Sequence, residues 1–331
     1  MLRERSPVAA AGFDYLERRH SDEKDAPSMS NKDATSASPL VSVVTTLLFP
    51  RFRPLDCLVS WTLGQQFSDG PIELIVVANG RRRALERDVA GILRAQDKMV
   101  QLDSTNEMAL YDAGARAASG TWLLFTEPHC LADAHCVRAL TKYVFARGLA
   151  GACVRTLPTK ERCRVARMEA RMYLEDAKVW TQENDWRKFT KRGFLLRRSA
   201  YEEVGGFDAS HLRFAEITIA AKLHRKGYRL GFVSEATIVH YNSTTLSELL
   251  GYVWEYRRME QRFSRVFPDL LADRTGSGGD PELVELCGDP RFRYCALPLL
   301  KEPLLFTLGR FNRPDARRMV GQLFNLSLKF F

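Results

Sequence analysis

Polar and apolar positions along this chain change character near Pro39. Residues 1–38 are polar, rich in Ser, Ala, Asp and Lys, with only a short helical pattern over 13–19. Such a segment buries too little apolar surface to offset its conformational entropy, so a mobile tail is expected. From residue 41 onward, two periods alternate. The runs 41–46, 72–77, 99–102 and 122–126 are short, apolar and rich in β-branched residues, as buried parallel strands are. Between them, 54–66, 84–93, 108–118 and 132–147 place apolar residues at helical spacing. Pro54 opens the first of these helices, and Gly120 is expected to supply a left-handed cap after the third.

Strand–helix alternation with short turns implies an α/β fold, a doubly wound and mostly parallel sheet with helices on both faces. Ligands bind such sheets outside the carboxyl ends of the strands, which directs attention to loops 46–53, 78–83, 103–108 and 127–131. The second half alternates less strictly. An arginine-rich helix is expected over 161–179, a strand over 193–196, and a helix from Ser199 that runs into the turn at Gly205-Gly206. Next come a helix over 214–225, strands over 229–233 and 237–241, and an amphipathic helix over 245–267. Residues 39–150 and 151–267 then form two halves of one domain, and 268–331 a helical C-terminal extension.

Composition narrows this picture. The apolar fraction of 45% and charged fraction of 27% over 331 residues are those of a globular protein and exclude fibrous or wholly disordered classes. No apolar run approaches the roughly 18–20 residues of a membrane span, and no signal peptide is read, so a cytoplasmic location is expected. Seven scattered cysteines, none in a CxxC pair, argue against a zinc ribbon or disulfide framework. The net charge of +9 is uneven, with thirteen basic and six acidic residues between 151 and 200. That excess favours an anionic partner. Nucleic acid fits poorly, because no stacking aromatics interleave and no recognition motif appears. A Rossmann oxidoreductase is disfavoured too, since no GxGxxG follows the first strand.

The order and spacing of several short motifs carry a resemblance. They are Val41-Ser-Val-Val44, Glu73-Leu-Ile-Val-Val-Ala-Asn-Gly80, Asp112-Ala-Gly-Ala-Arg-Ala-Ala-Ser-Gly120 and Trp122-Leu-Leu-Phe-Thr-Glu-Pro-His129. The second half adds Gly193-Phe-Leu-Leu-Arg-Arg-Ser-Ala200, Gly205-Gly-Phe-Asp208, Gly227-Tyr-Arg-Leu230 and Val239-His-Tyr241. Over residues 40–263 the chain resembles the family 2 nucleotide-sugar glycosyltransferases of GT-A fold. The resemblance implies a nucleotide-sugar donor, a hydroxyl acceptor (a saccharide or lipid-linked saccharide) and a divalent cation, Mg or Mn. It also implies inverting transfer in polysaccharide or glycoconjugate synthesis.

By that resemblance, Glu127 and His129 stand where the family carries its acidic metal motif, and His240 where a histidine approaches the metal or diphosphate. Pro128 offers no ligand, and an imidazole suits manganese better than magnesium. The competing role for Glu127 is a solvent-facing acid or N-cap, and for each histidine a satisfied structural residue. Glu216, twelve residues before Tyr228, stands at the position of the catalytic base, with Ala215 in place of the preceding acid. Its competing role is a helix-dipole partner. Thr45, Thr46 and Asn79 fall where the family contacts base and ribose, and Asp112 and Arg116 in the following loop-to-helix region. Arg81, Arg82 and Arg83 read as a solvated helix start.

The basic residues Arg155, Arg162, Arg164, Arg167, Arg171, Lys188, Lys191, Arg192, Arg197 and Arg198 either meet an anionic acceptor or form a solvated face. Trp180 and Trp186 either wall a sugar site or fill the core. Apolar and basic clusters after Gly279 suit an anionic membrane surface, packing against the catalytic domain, or a homo-oligomer. The losses at Ala78, Pro128 and Ala215 leave a second function open: a catalytically decayed relative that binds a sugar nucleotide or a partner protein.

Overall fold

The computed structural model describes residues 40–157, 163–167, 169–170, 173 and 189–266. The expected tail, most of the helix expected over 161–179, Trp180, Trp186 and the extension over 268–331 lie outside the described residues.

In the first half the strands form where the patterning puts them. β1 (Val41–Thr46) and β2 (Ile72–Ala78) are buried along their whole length, as unbroken β-branched runs require. β3 (Lys98–Gln101) and β4 (Trp122–Phe125) flank them, and all four run parallel. The intervening helices are α1 (Pro54–Ser60), α2 (Arg83–Ile92) and α3 (Glu107–Ala117), followed later by α4 (Cys136–Arg147). On one face of the sheet, Leu58, Trp61, Val89, Val137 and Leu140 pack with Val41, Val43, Leu74 and Val76. On the other face, Met108, Leu110 and Tyr111 of α3 pack with Val44, Ile75, Val77 and Phe125.

Three boundaries depart from the sequence pattern, each for a local reason. α1 stops at Ser60 because Trp61 turns inward, fully buried, and donates its Nε1–H to the Cys130 carbonyl at 3.0 Å. The Gln65 amide then donates to the Ser60 carbonyl at 2.7 Å, so the apolar spacing beyond Ser60 serves a turn rather than a helix. α4 starts at Cys136 because Cys130–Ala132 forms a strand, β5. Gly120 is not left-handed. Its glycine is required by close approach instead, since a Cβ there would lie 2.6 Å from Ser42 Oγ.

The second half holds β6 (Gly151–Leu157), which the small residues at its start concealed, and β7 (Phe194–Arg197). The two strands expected at 229–233 and 237–241 are one, β8 (Leu230–His240). Its pairing with β6 jumps from Val154↔Val233 to Arg155↔Thr237, so residues 234–236 bulge out of the ladder. α5 (Arg198–Glu203), a 3-10 helix Ala209–Phe214 and α6 (Ala215–Arg225) cover the α3 face.

The eight strands form one sheet in the order β3-β2-β1-β4-β7-β6-β8-β5. β7 and β5 are antiparallel to their neighbours, while β6 and β8 are parallel to each other. The carboxyl ends of β1, β2, β4, β6 and β8 therefore share one edge, where a doubly wound sheet offers its ligand crevice. The chain divides into two compact units, Met1–Thr244 and Thr245–Phe331. The described part of the second is α7 (Leu246–Val266), the amphipathic helix expected there. Among the described residues, no helix is long and apolar enough to cross a membrane.

Candidate active site

After β4 the chain turns through Thr126-Glu127-Pro128-His129 into β5, and the Tyr111 hydroxyl pins the turn by donating to the Thr126 carbonyl at 2.8 Å. Because β5 pairs antiparallel with β8 in the register Cys130↔His240, the end of β8 is laid against this turn. Three side chains converge as a result. His240 Nε2 lies 2.9 Å from Glu127 Oε2 and 3.1 Å from His129 Nε2, and His129 Nε2 lies 3.4 Å from the same Glu127 oxygen.

The outer ring nitrogens fix what these atoms can do. His129 Nδ1 faces the Phe49 carbonyl at 3.0 Å, which can only accept, so the proton sits on Nδ1. His240 Nδ1 faces Asn242 Oδ1 at 2.7 Å, which assigns the same tautomer. Two imidazole lone pairs and a carboxylate oxygen then point at one another, an arrangement able to hold a shared cation. Ligands about 2.1 Å from a metal ion stand roughly 3.0–3.4 Å apart in octahedral or tetrahedral geometry, which matches these separations. Among the described residues, this trio forms a grouping able to hold a metal ion. Carbonyl and amide partners on the outer nitrogens are the usual second layer of such centres.

Lys191 connects the trio to the start of α6. Its ammonium lies 3.0 Å from Glu127 Oε1, 2.9 Å from Glu216 Oε1 and 3.7 Å from Glu107 Oε2. Glu216 occupies the first turn of α6 and Glu107 the first residue of α3. Further out, Arg213 donates to Glu107 at 3.0 Å, Arg192 to Glu169 at 3.2 Å, and Arg51 lies 3.6 Å from Glu169. Arg51 also donates to the Tyr241 carbonyl at 2.7 Å, tying the loop after β1 to the end of β8. Buried charges persist only when compensated, and here four carboxylates interleave with four cations.

This arrangement separates the two central acids. Burial alone would raise the Glu127 carboxyl, but the Lys191 ammonium holds it well below the ordinary range. Burial lifts Glu216 above that range, with Glu127 and Glu107 adding to the effect and Lys191 opposing it. Burial and the Arg192 charge push His240 down to about 3, so the ring is neutral at pH 7. Burial works against the Lys191 charge, but Glu107, Glu127 and Glu216 outweigh it and keep the group protonated.

The structure thus brings together Glu127, His129, His240 and Glu216. Other candidates stand apart. Thr45 and Thr46 are wholly buried in β1. Asn79, after β2, donates to the Ser104 carbonyl at 3.1 Å and accepts from the Arg81 N–H at 3.3 Å. Asp112 accepts from the Tyr201 hydroxyl at 2.9 Å and pairs with the exposed Arg116 at 2.8 Å, so Asp112 engages α5 and Arg116 its own helix rather than the trio. The basic stretch divides. Lys191 and Arg192 belong to the site, whereas Arg197 pairs in register with Trp122 and Arg198 reaches the Ala118 carbonyl, at the other end of β4. Arg162, Arg171 and Lys188 lie outside the described residues.

Glu107, Glu169, Arg51 and Arg213 were not singled out from sequence. The signal available for Glu107 was its place just after an Asn that caps α3, in one of the four loops at the crevice edge.

No protein-family model matches the chain. The O-antigen chain rhamnosyltransferase RfbN of Salmonella typhimurium (strain LT2) is 27% identical over 168 residues, 48% of this chain and 51% of that protein. The chain therefore spans about half the length of this curated relative. Among solved structures, mannosyltransferase PcManGT from Pyrobaculum calidifontis, in complex with GDP-Man and Mn2+, superposes with a TM-score of 0.56 at 15% identity, covering 97% of this chain and 90% of that one. Residues 1–349 of TarS from S. aureus give a TM-score of 0.49 at 11% identity, covering 87% and 91%. The mannosyltransferase likeness shows the fold, a GT-A-type mixed sheet with helices on both faces.

Proposed function

We propose that this chain, a divergent relative of the glycosyltransferases with their GT-A-type fold, moves a sugar from a nucleotide-sugar donor to a hydroxyl of a saccharide acceptor in polysaccharide or glycoconjugate synthesis. The observation that supports the reading is the ammonium of Lys191, which lies within 3.0 Å of both Glu127 and Glu216 and so keeps the proposed cation ligand and the proposed base close together.

In this reading Glu216 is the general base. Its Oε1 is held by Lys191, and Oε2 takes the proton of the acceptor hydroxyl. Burial raises its affinity for that proton toward the working pH, as base catalysis requires. The freed oxygen pair forms the new bond to the anomeric carbon, while the bond to the phosphate oxygen breaks and its electron pair leaves with the nucleoside diphosphate. A single displacement of this kind inverts the anomeric centre. Glu127, His129 and His240 would hold a divalent cation, which when bound offsets the charge of the departing diphosphate. A donor set of one carboxylate and two imidazoles suits Mn2+ better than Mg2+. Arg192 and Arg51 add positive charge on the same side. At the strand tips, Asn79 is the side chain proposed to meet the nucleotide, and the buried Thr45 and Thr46 shape the loop backbone beneath it. Asp112 and Arg116 would act at a distance by fixing α3.

The test is Glu127→Ala in a thermal-shift titration with GDP or UDP, each with and without Mn2+. The wild type is expected to gain stability from the diphosphate chiefly when Mn2+ is present, and the variant to lose that increment. An undiminished increment in the variant would overturn the cation role.

A further inference from the structure

Lys191 takes no proton and forms no bond in the reaction above, yet its side chain is only 3% exposed and its ammonium is shared between carboxylates. The loop that carries it is fixed on both sides. Phe189 stacks on Phe194 with ring centroids 4.1 Å apart, and Val154 N–H donates to the Gly193 carbonyl at 3.0 Å. Glu127 therefore divides its two oxygens. Oε1 faces the fixed ammonium at 3.0 Å, and Oε2 faces the imidazole nitrogens of His129 and His240. The guanidinium of Arg192 adds a second positive group, 3.9 Å from Oε2.

A doubly charged ion beside Oε2 would sit within a few ångströms of both cations, where little water is present to screen the repulsion. A diphosphate changes the balance, because its charge offsets the ion and the two side chains together. We propose that Lys191 is a positioning residue that acts through Glu127. Its ammonium stands in for a divalent cation, so that the Glu127–His129–His240 centre takes such a cation weakly alone and firmly only alongside a nucleoside diphosphate. This rests on the reading of the trio as a cation centre. It predicts the order of loading: free cation is not stored in the site, and cation and donor arrive together.

The experiment titrates Mn2+ into purified protein, with free ion read by electron paramagnetic resonance, first alone and then with saturating GDP or UDP. The wild type should bind Mn2+ at least tenfold more tightly with a diphosphate than without. Lys191→Met should bind Mn2+ alone at least tenfold more tightly than the wild type, whereas Lys191→Arg, which keeps the charge, should stay weak. A purely structural role for Lys191 predicts weaker or unchanged binding in the methionine variant. Because that variant removes the ammonium from Glu216, the double variant Lys191→Met/Glu216→Gln is measured beside it and should show the same gain. Unchanged or weaker Mn2+ binding in both variants overturns the inference, as does the lack of any diphosphate effect on the wild type. If Glu127→Ala abolishes Mn2+ binding while the Lys191 variants behave as wild type, the cation centre stands and the role of Lys191 falls. If Glu127→Ala binds Mn2+ as the wild type does, the cation centre itself is wrong.

Discussion

Replacing Glu216 by Gln probes the proposed base with little disturbance of shape. The amide keeps an oxygen to accept from Lys191, now 2.9 Å from Glu216 Oε1, but carries no charge and takes no proton. Lys191 retains Glu127 and Glu107, so the buried ammonium is still compensated and the fold should persist. Loss of a general base typically costs about 10²–10⁴ in rate. A fall of about 10³ in kcat corresponds to roughly 4 kcal/mol of transition-state stabilisation. The pH dependence supplies an independent check. Glu216 is active when ionised, and burial holds its pKa above the ordinary range, so the rate of the wild type should fall on acidification from a point above the usual glutamate value of about 4.3. The assay is initial-rate release of nucleoside diphosphate against pH, with acceptor saturating, and binding of the diphosphate measured separately. The variant should lose the rate, keep diphosphate affinity within about threefold, and show no acid limb from this group. Transfer within tenfold of the wild type, or an unaltered acid limb, would refute the assignment of the base.

Two further predictions concern the scaffold. Glu73, buried in β2, accepts from Ser42 Oγ, Ser119 N–H and Gly120 N–H and pairs with Lys98 at 3.4 Å. Burial opposes its charge, but these donors win and lower its pKa, so it stabilises the fold above the unfolded-state value near 4.3 and loses that contribution as pH falls through the folded one. Glu73→Gln should cost about 2–3 kcal/mol at pH 7 by chemical denaturation, and less below pH 4; equal losses at both pH values would contradict the argument. Gly206 has φ 68°, and a Cβ there would lie 2.5 Å from Asp112 Oδ1. Gly206→Ala should therefore destabilise by about 1–3 kcal/mol through backbone strain alone, before any cost from the displaced carboxylate, and a neutral result would contradict the strain argument.

What the sequence made legible follows from locality. β1 and β2 announce themselves because a run buried on both faces needs no partner to be recognised. Glu127, His129 and His240 could be named because the family resemblance marks their positions, and the strand ends that carry them reach one edge of the sheet. Lys191 was visible only as one cation among many. Its position depends on α3, β4 and α6 delivering three carboxylates to one point, which no window of sequence contains. Gly120 misled for a related reason. A glycine after a helix usually supplies a left-handed cap, but here it makes room for Ser42 on a neighbouring strand. Trp61 likewise kept helical spacing while serving a turn, because its indole N–H had a partner on β5.

The central claim is most directly tested by incubating the purified full chain with Mn2+ and a panel of nucleotide-sugars, and measuring release of nucleoside diphosphate by wild type and Glu216→Gln in parallel. The account predicts that at least one donor is turned over by the wild type and that the variant, still stabilised by the diphosphate, turns it over about a thousandfold more slowly. Turnover of none, despite binding of the diphosphate, or equal turnover by both proteins, would contradict it.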